Sequence, residues 1–152
     1  MTLESDFFDL VERLKNLSDF SCGPVQRLLG VDLVGRKPIY GGAFSEFEKP
    51  QAIKNYFCDH VELFQADWGA PWRGMVILHL KKELNITDES VFLHLGNATR
   101  RDPAGVAAPG LERMMYLEYR SDDSPILRFS RKPKDSAIAA VVIENLTGNP
   151  KL

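Results

Sequence analysis

The chain is poor in the residues that most site chemistries require. It holds only two cysteines and three histidines in 152 residues. Cys22 and Cys58 lack a CxxC spacing and are read as free thiols of a reducing compartment. His60, His79 and His94 come from three separate stretches and share no HxH, HxxxH or HExxH spacing. No GxSxG, Walker-type or GxGxxG sequence occurs, and Gly41-Gly42 precedes an expected strand instead of a helix, so it offers no phosphate cradle. No run approaches the ~20 apolar residues of a membrane span. Net charge is −2 with Lys and Arg scattered, so no basic stripe exists to neutralise nucleic acid. These gaps point away from a metal, a cofactor, a catalytic residue and a nucleic-acid partner, and so away from an enzyme.

What remains is ordinary globular material. Hydrophobic residues make up 44% and charged residues 26% of the chain, the balance of a protein that buries one core. The length suits a single domain over residues 1–152. The start, Met1-Thr2-Leu3-Glu4-Ser5-Asp6, is acidic where a secretory signal is basic, which gives a cytoplasmic expectation.

Local patterns then define the elements. Leu3, Phe7, Leu10, Val11, Leu14 and Leu17 fall on one stripe at the 3.6-residue period, predicting an amphipathic helix over 2–17. Its acids lead while Arg13 and Lys15 close it, an order that suits the helix dipole. A short helix is predicted at about 22–29, capped by Ser21 and stopped by Gly30. Thr87, followed by Asp88, Glu89, Val91, Leu95 and Gly96, repeats that shape. The two signals lie at a fixed offset of 66 residues, and Leu63/Phe129, Val76/Val142, Ile77/Ile143 and Leu80/Leu146 extend the match without a gap. Residues 20–85 and 86–151 are therefore read as two related halves.

Each half is expected to continue as three strands: 43–49, 58–67 and 74–84 in the first, 114–120, 126–130 and 137–145 in the second. Turn residues at 69–72 and 121–125 mark hairpins, and 97–112 reads as a long loop. The fold class is thus α+β: two tandem helix-plus-antiparallel-strand halves forming one sheet, helices on one face, preceded by the N-terminal helix.

Hairpin pairing sorts the side chains into two faces. A turn centred at 70/71 sets Val61 across from Leu80, Leu63 from Leu78 and Gln65 from Val76 on an apolar face. Phe64, Met75, Ile77, Glu62, His60 and His79 fall on the other, with Trp68, Trp72 and Arg73 at its tip. A turn centred at 123 groups Met115, Leu117, Tyr119, Leu127 and Phe129 on the apolar face and leaves Tyr116, Glu118, Arg120, Arg128 and Ser130 opposite. Aromatic and Arg side chains on a solvated sheet face are those favoured at protein interfaces. The alternative is a second small core on that side. One strand disagrees with the scheme, since the repeat sets Glu144 where the first half has Leu78.

The order capped helix, V-x-x-x-L-G, loop and strands resembles small modules of the BamE/SmpA lipoprotein type, and the same unit doubled resembles the β-lactamase inhibitor protein. The residues concerned are Ile86-Thr87, Val91 and Leu95-Gly96, with Phe20-Ser21, Val25 and Leu29-Gly30 in the first half. The resemblance implies a tandem helix-and-sheet architecture and a protein-binding habit. The lipidated cysteine of the first type has no counterpart, because Cys22 follows Asp19-Phe20-Ser21 with no signal before it. The expected function is a non-enzymatic protein-binding module, such as a small inhibitor or a toxin-neutralising immunity protein, with another protein or a second copy of itself as partner. The alternative is a small-molecule binder or enzyme using a cupped sheet lined by His60, Glu62 and His79.

Overall fold

The N-terminal stripe folds as helix α1, Leu3–Lys15, in a computed structural model that describes residues 3–17, 22–30, 34–35, 44–48, 57–66, 74–103, 114–120 and 125–145. Phe7, Phe8, Val11 and Leu14 of α1 are buried. Leu3 of the predicted stripe is instead 50% exposed, because the first turn lies at the margin of the contact. Helix α2 runs Cys22–Leu29 and α3 runs Asp88–Leu95, so the two lie at the predicted offset. Thr87 caps α3: its side chain accepts from the Ser90 backbone N–H while the Ser90 hydroxyl receives the Thr87 N–H. Two of the donors left unpaired at a helix start are thereby satisfied. Gly30 and Gly96 end the short helices at φ 67° and 77°, where a β-carbon would be strained.

The described residues form eight strands: β1 Val34–Gly35, β2 Phe44–Glu48, β3 Cys58–Ala66, β4 Gly74–Leu80, β5 Arg100–Pro103, β6 Met115–Tyr119, β7 Ile126–Arg131 and β8 Ala140–Asn145. They form one antiparallel sheet in the order β1-β2-β3-β4-β8-β7-β6-β5. Each half is thus a helix followed by a four-stranded meander, and the two meanders join where β4 meets β8. The predicted count of three strands per half is too low. β1 is only two residues long, and β5 occupies the stretch 97–112 read as loop. Arg100-Arg101-Asp102-Pro103 has no strand propensity of its own and is extended by pairing with β6.

Two further corrections concern register. β3 and β4 pair Val61 with Leu78, Leu63 with Val76 and Phe64 with Met75, two residues away from the predicted alignment. Strand faces have a period of two, so the slip changes every partner and no face. β6 and β7 pair as predicted, Leu117 with Phe129 and Tyr119 with Leu127. The ungapped repeat fails at the last strand. Leu63 pairs with Val76 and its counterpart Phe129 pairs with Val141, so the second hairpin is one residue shorter and Val76 corresponds to Val141. This removes the conflict at Glu144, whose counterpart is His79 and not Leu78. In this strand Val141 and Ile143 are buried, while Ala140, Val142 and Glu144 are half-buried on the other face. The strand itself begins at Ala140, with only an isolated bridge from Ala137 to Thr87 ahead of it.

The core lies between the helices and one face of the sheet. Val61, Leu63, Val76, Leu78, Leu117, Leu127, Phe129, Val141 and Ile143 supply its floor, and Phe7, Phe8, Val11, Leu14, Val25, Leu29 and Val91 its roof. α1 ties the halves together. Phe7 packs on Phe57 of the first half at 5.9 Å between ring centres, and Phe8 packs on Phe129 at 6.2 Å and stacks on His94 at 4.2 Å in the second. Cys58 is buried in this core. No helix among the described residues is long and apolar enough to cross a membrane.

Candidate functional site: the open face of the sheet

The side of the sheet away from the helices collects the second set of alternating side chains. In β4 the buried positions are Gly74, Val76, Leu78 and Leu80, which leaves Met75, Ile77 and His79 half-buried on the opposite side. Neighbouring strands extend that set by pairing: Phe64 lies beside Met75, Glu62 and Val142 beside Ile77, Glu144 beside Met75, and Arg128 beside Val142. Glu118 then lies beside Arg128 and Tyr116 beside Ser130. Phe64, Met75, Ile77, Glu62, His79, Tyr116 and Arg128 therefore share this face as predicted, and the exposed Arg120 follows at the end of β6. Trp68, Trp72 and Arg73 lie outside the described residues.

Two polar groups flank an apolar strip formed by Phe64, Met75, Ile77 and Val142. The first is His60, Glu62 and His79. Glu62 Oε1 lies 2.6 Å from His79 Nε2 and 3.7 Å from His60 Nε2, and the imidazole centres are 5.1 Å apart. A β-bulge builds this group. β3 pairs Cys58 with Leu80 and then His60 with His79, so Asp59 is an extra residue. Simple alternation from the buried Cys58 would turn His60 into the core. The extra residue resets the parity, keeps Cys58 inside and sets His60 outside opposite His79. Hairpin pairing in the sequence already groups the three residues on one face as the polar lining of a cupped site, although no ligand spacing marks them. Strand pairing, which no local motif records, brings them together.

The second group is an ion-pair chain. Arg128 donates from Nε to Glu118 Oε1 at 2.8 Å and from its terminal nitrogen to Glu144 Oε2 at 2.7 Å, and Arg120 Nε lies 3.8 Å from the other Glu118 oxygen. The Glu118 side chain is only 8% exposed, the most enclosed charge among the described residues. Burial works against the charge on Arg128, but its hydrogen bonds to Glu118 and Glu144 outweigh that and hold its pKa above the ordinary value. The sequence sets Glu118 and Arg128 on one face but the ungapped repeat misplaces Glu144, so the unit emerges only from the pairing of β6, β7 and β8.

The groups are counterparts under the corrected repeat. Glu62 corresponds to Arg128 and His79 to Glu144, and both pairs bridge adjacent strands diagonally at nearly the same distance. One position in each half thus carries a cross-strand polar pair, with the acid and the base exchanged. His94, by contrast, belongs to the helical side, where its Nε2 meets Glu4 Oε2 at 3.1 Å and its ring stacks on Phe8. Comparisons of the chain with protein-family models, with curated proteins and with solved structures gave no match.

Proposed function

We propose that this chain is a protein-binding module that acts through the open face of its sheet, most specifically as a small inhibitor or an immunity protein. The observation that supports the reading is the distribution of side chains over that face. Phe64, Met75, Ile77 and Val142 form an apolar centre on β3, β4 and β8, and charged groups flank it on both sides. An apolar centre with a polar margin is the arrangement of protein interfaces. The strands beneath are held by ladders on both sides, so the surface is formed before a partner arrives and little ordering entropy is lost on contact. The resemblance to doubled helix-and-sheet binding proteins points in the same direction.

The test is a pair of charge insertions at the centre, Ile77→Arg and Met75→Arg, in the full chain. Both positions face away from the core, so melting temperatures should stay close to that of the wild type. A specific partner retained by the wild type should be lost by both variants, a penalty of at least about 2 kcal/mol at a central anchor. Undiminished partner retention by stable variants would sink the proposal. Solution mass identifies a second copy of the chain as the partner if the wild type is dimeric and Ile77→Arg is monomeric.

A further inference from the structure

We propose that His60, Glu62 and His79 form a binding site for a first-row divalent transition-metal ion, with Zn2+ as the ion of choice. The inference stands apart from the partner-binding reading and survives if that reading fails. Three observations carry it. The potential ligand atoms, one from each residue, all lie within 4.8 Å of one another. Both imidazoles direct Nε2 at the same carboxylate oxygen, at 2.6 and 3.7 Å. The β-bulge at Asp59 is the device that sets His60 opposite His79, and bulges are enriched where a side chain must be re-aimed at a site.

The distances suit such an ion. Zinc–ligand bonds of about 2.0–2.1 Å at tetrahedral angles require ligand atoms about 3.3 Å apart. The two separations from Glu62 Oε1 bracket that value, and with all three ligand atoms within 4.8 Å of one another, side-chain rotation on a fixed backbone can bring them onto one ion. The ligands come from β3 and β4, whose pairing is continuous from His60–His79 to Gln65–Gly74, which fixes the Cα positions. Two imidazoles and one carboxylate select zinc and its first-row neighbours, whereas Mg2+ and Ca2+ prefer oxygen donors alone. The side chains are 37%, 20% and 41% exposed, so an ion can enter without any opening of the fold. Three protein ligands leave a fourth position to water or to a donor from a bound molecule.

A paired cross-strand group without metal is the competing account of the same contacts, and it predicts no ion uptake. Calorimetric titration of the chelator-treated full chain with Zn2+ alone distinguishes them. One ion per chain is expected, with no heat from Mg2+. His79→Gln, Glu62→Gln and the double variant His60→Ala/His79→Ala should each weaken uptake by more than the roughly tenfold cost of losing a supporting residue. Far-ultraviolet circular dichroism verifies that each variant is folded, and Co2+ absorption bands of a four-coordinate site, present in the wild type and absent from the double variant, locate the ion. No stoichiometric uptake by the wild type overturns the proposal, as does equal uptake by the folded double variant.

Discussion

Replacing Arg128 with methionine removes a cation from between two carboxylates while keeping much of the side-chain volume. In the wild type the guanidinium satisfies Glu118 at 2.8 Å and Glu144 at 2.7 Å. The variant leaves Glu118 enclosed by protein with only the more distant Arg120 at 3.8 Å. Stranding one member of a fully buried pair costs roughly 3–5 kcal/mol. Here 29% of the Arg128 side chain meets water, and solvent screens part of the interaction. The expected loss is therefore about 2–3 kcal/mol, which for a chain of this size lowers the melting temperature by about 5–10 °C. Urea denaturation with unchanged slope would show that the native state is what lost stability. The double variant Arg128→Met/Glu118→Gln separates causes, because the uncharged amide no longer needs a cation. It should recover at least about 1 kcal/mol relative to the sum of the single changes. A single variant within about 0.5 kcal/mol of wild type, or strictly additive changes, would refute the reasoning and reduce the chain of ion pairs to surface decoration.

Three further outcomes follow from the helical side. Phe8→Ala deletes a ring that touches both His94 and Phe129 and should cost about 3–5 kcal/mol in chemical denaturation. Thr87→Ala removes the cap of α3 and should cost about 1 kcal/mol, with Thr87→Ser close to neutral. The Glu4 carboxyl is held below its usual 4.5 by a hydrogen bond from Ser90 and then by one with His94. Its folded pKa lies below its unfolded one, so its contribution is complete above the unfolded value and disappears as pH falls through the folded value. Melting curves of wild type and Glu4→Gln should accordingly converge in acid and separate toward neutral pH.

The helices were legible because their signals are local. Thr87 before Asp88-Glu89 and Gly96 after Leu95 mark both ends of α3, and no distant contact is needed to read them. The face assignments were legible for a different reason: a register error of two residues, as between β3 and β4, leaves Val61 and Leu63 inward and Glu62 and Phe64 outward. An error of one residue is fatal to the same argument, and that is what befell Val142, Ile143 and Glu144 when the repeat was carried on without a gap. β5 carries no local signal, because Arg100–Pro103 is a strand only by virtue of its neighbour. The convergence of His60 with His79, and of Glu118 with Arg128 and Glu144, depends on which strands pair. The bulge at Asp59 leaves no mark in composition, since Cys-Asp-His reads equally well as plain alternation.

The meeting of β4 and β8 has a kinetic consequence. Within each half the strands run as a meander, so their contacts are local and inexpensive in loop-closure entropy. The pairing of Ile77 with Val142 instead joins segments far apart in the chain, and such contacts form slowly. The two meanders should mature before they join, with the docking of α1 across both as the closing event. A cavity made in the last element to dock, for example by Phe7→Ala in α1, should then leave the folding rate nearly unchanged and quicken unfolding, whereas one made inside a meander, as by Leu127→Ala, should slow folding itself. Release of α1 would then uncover the line along which the halves join, and that line would be the next place where the molecule comes apart.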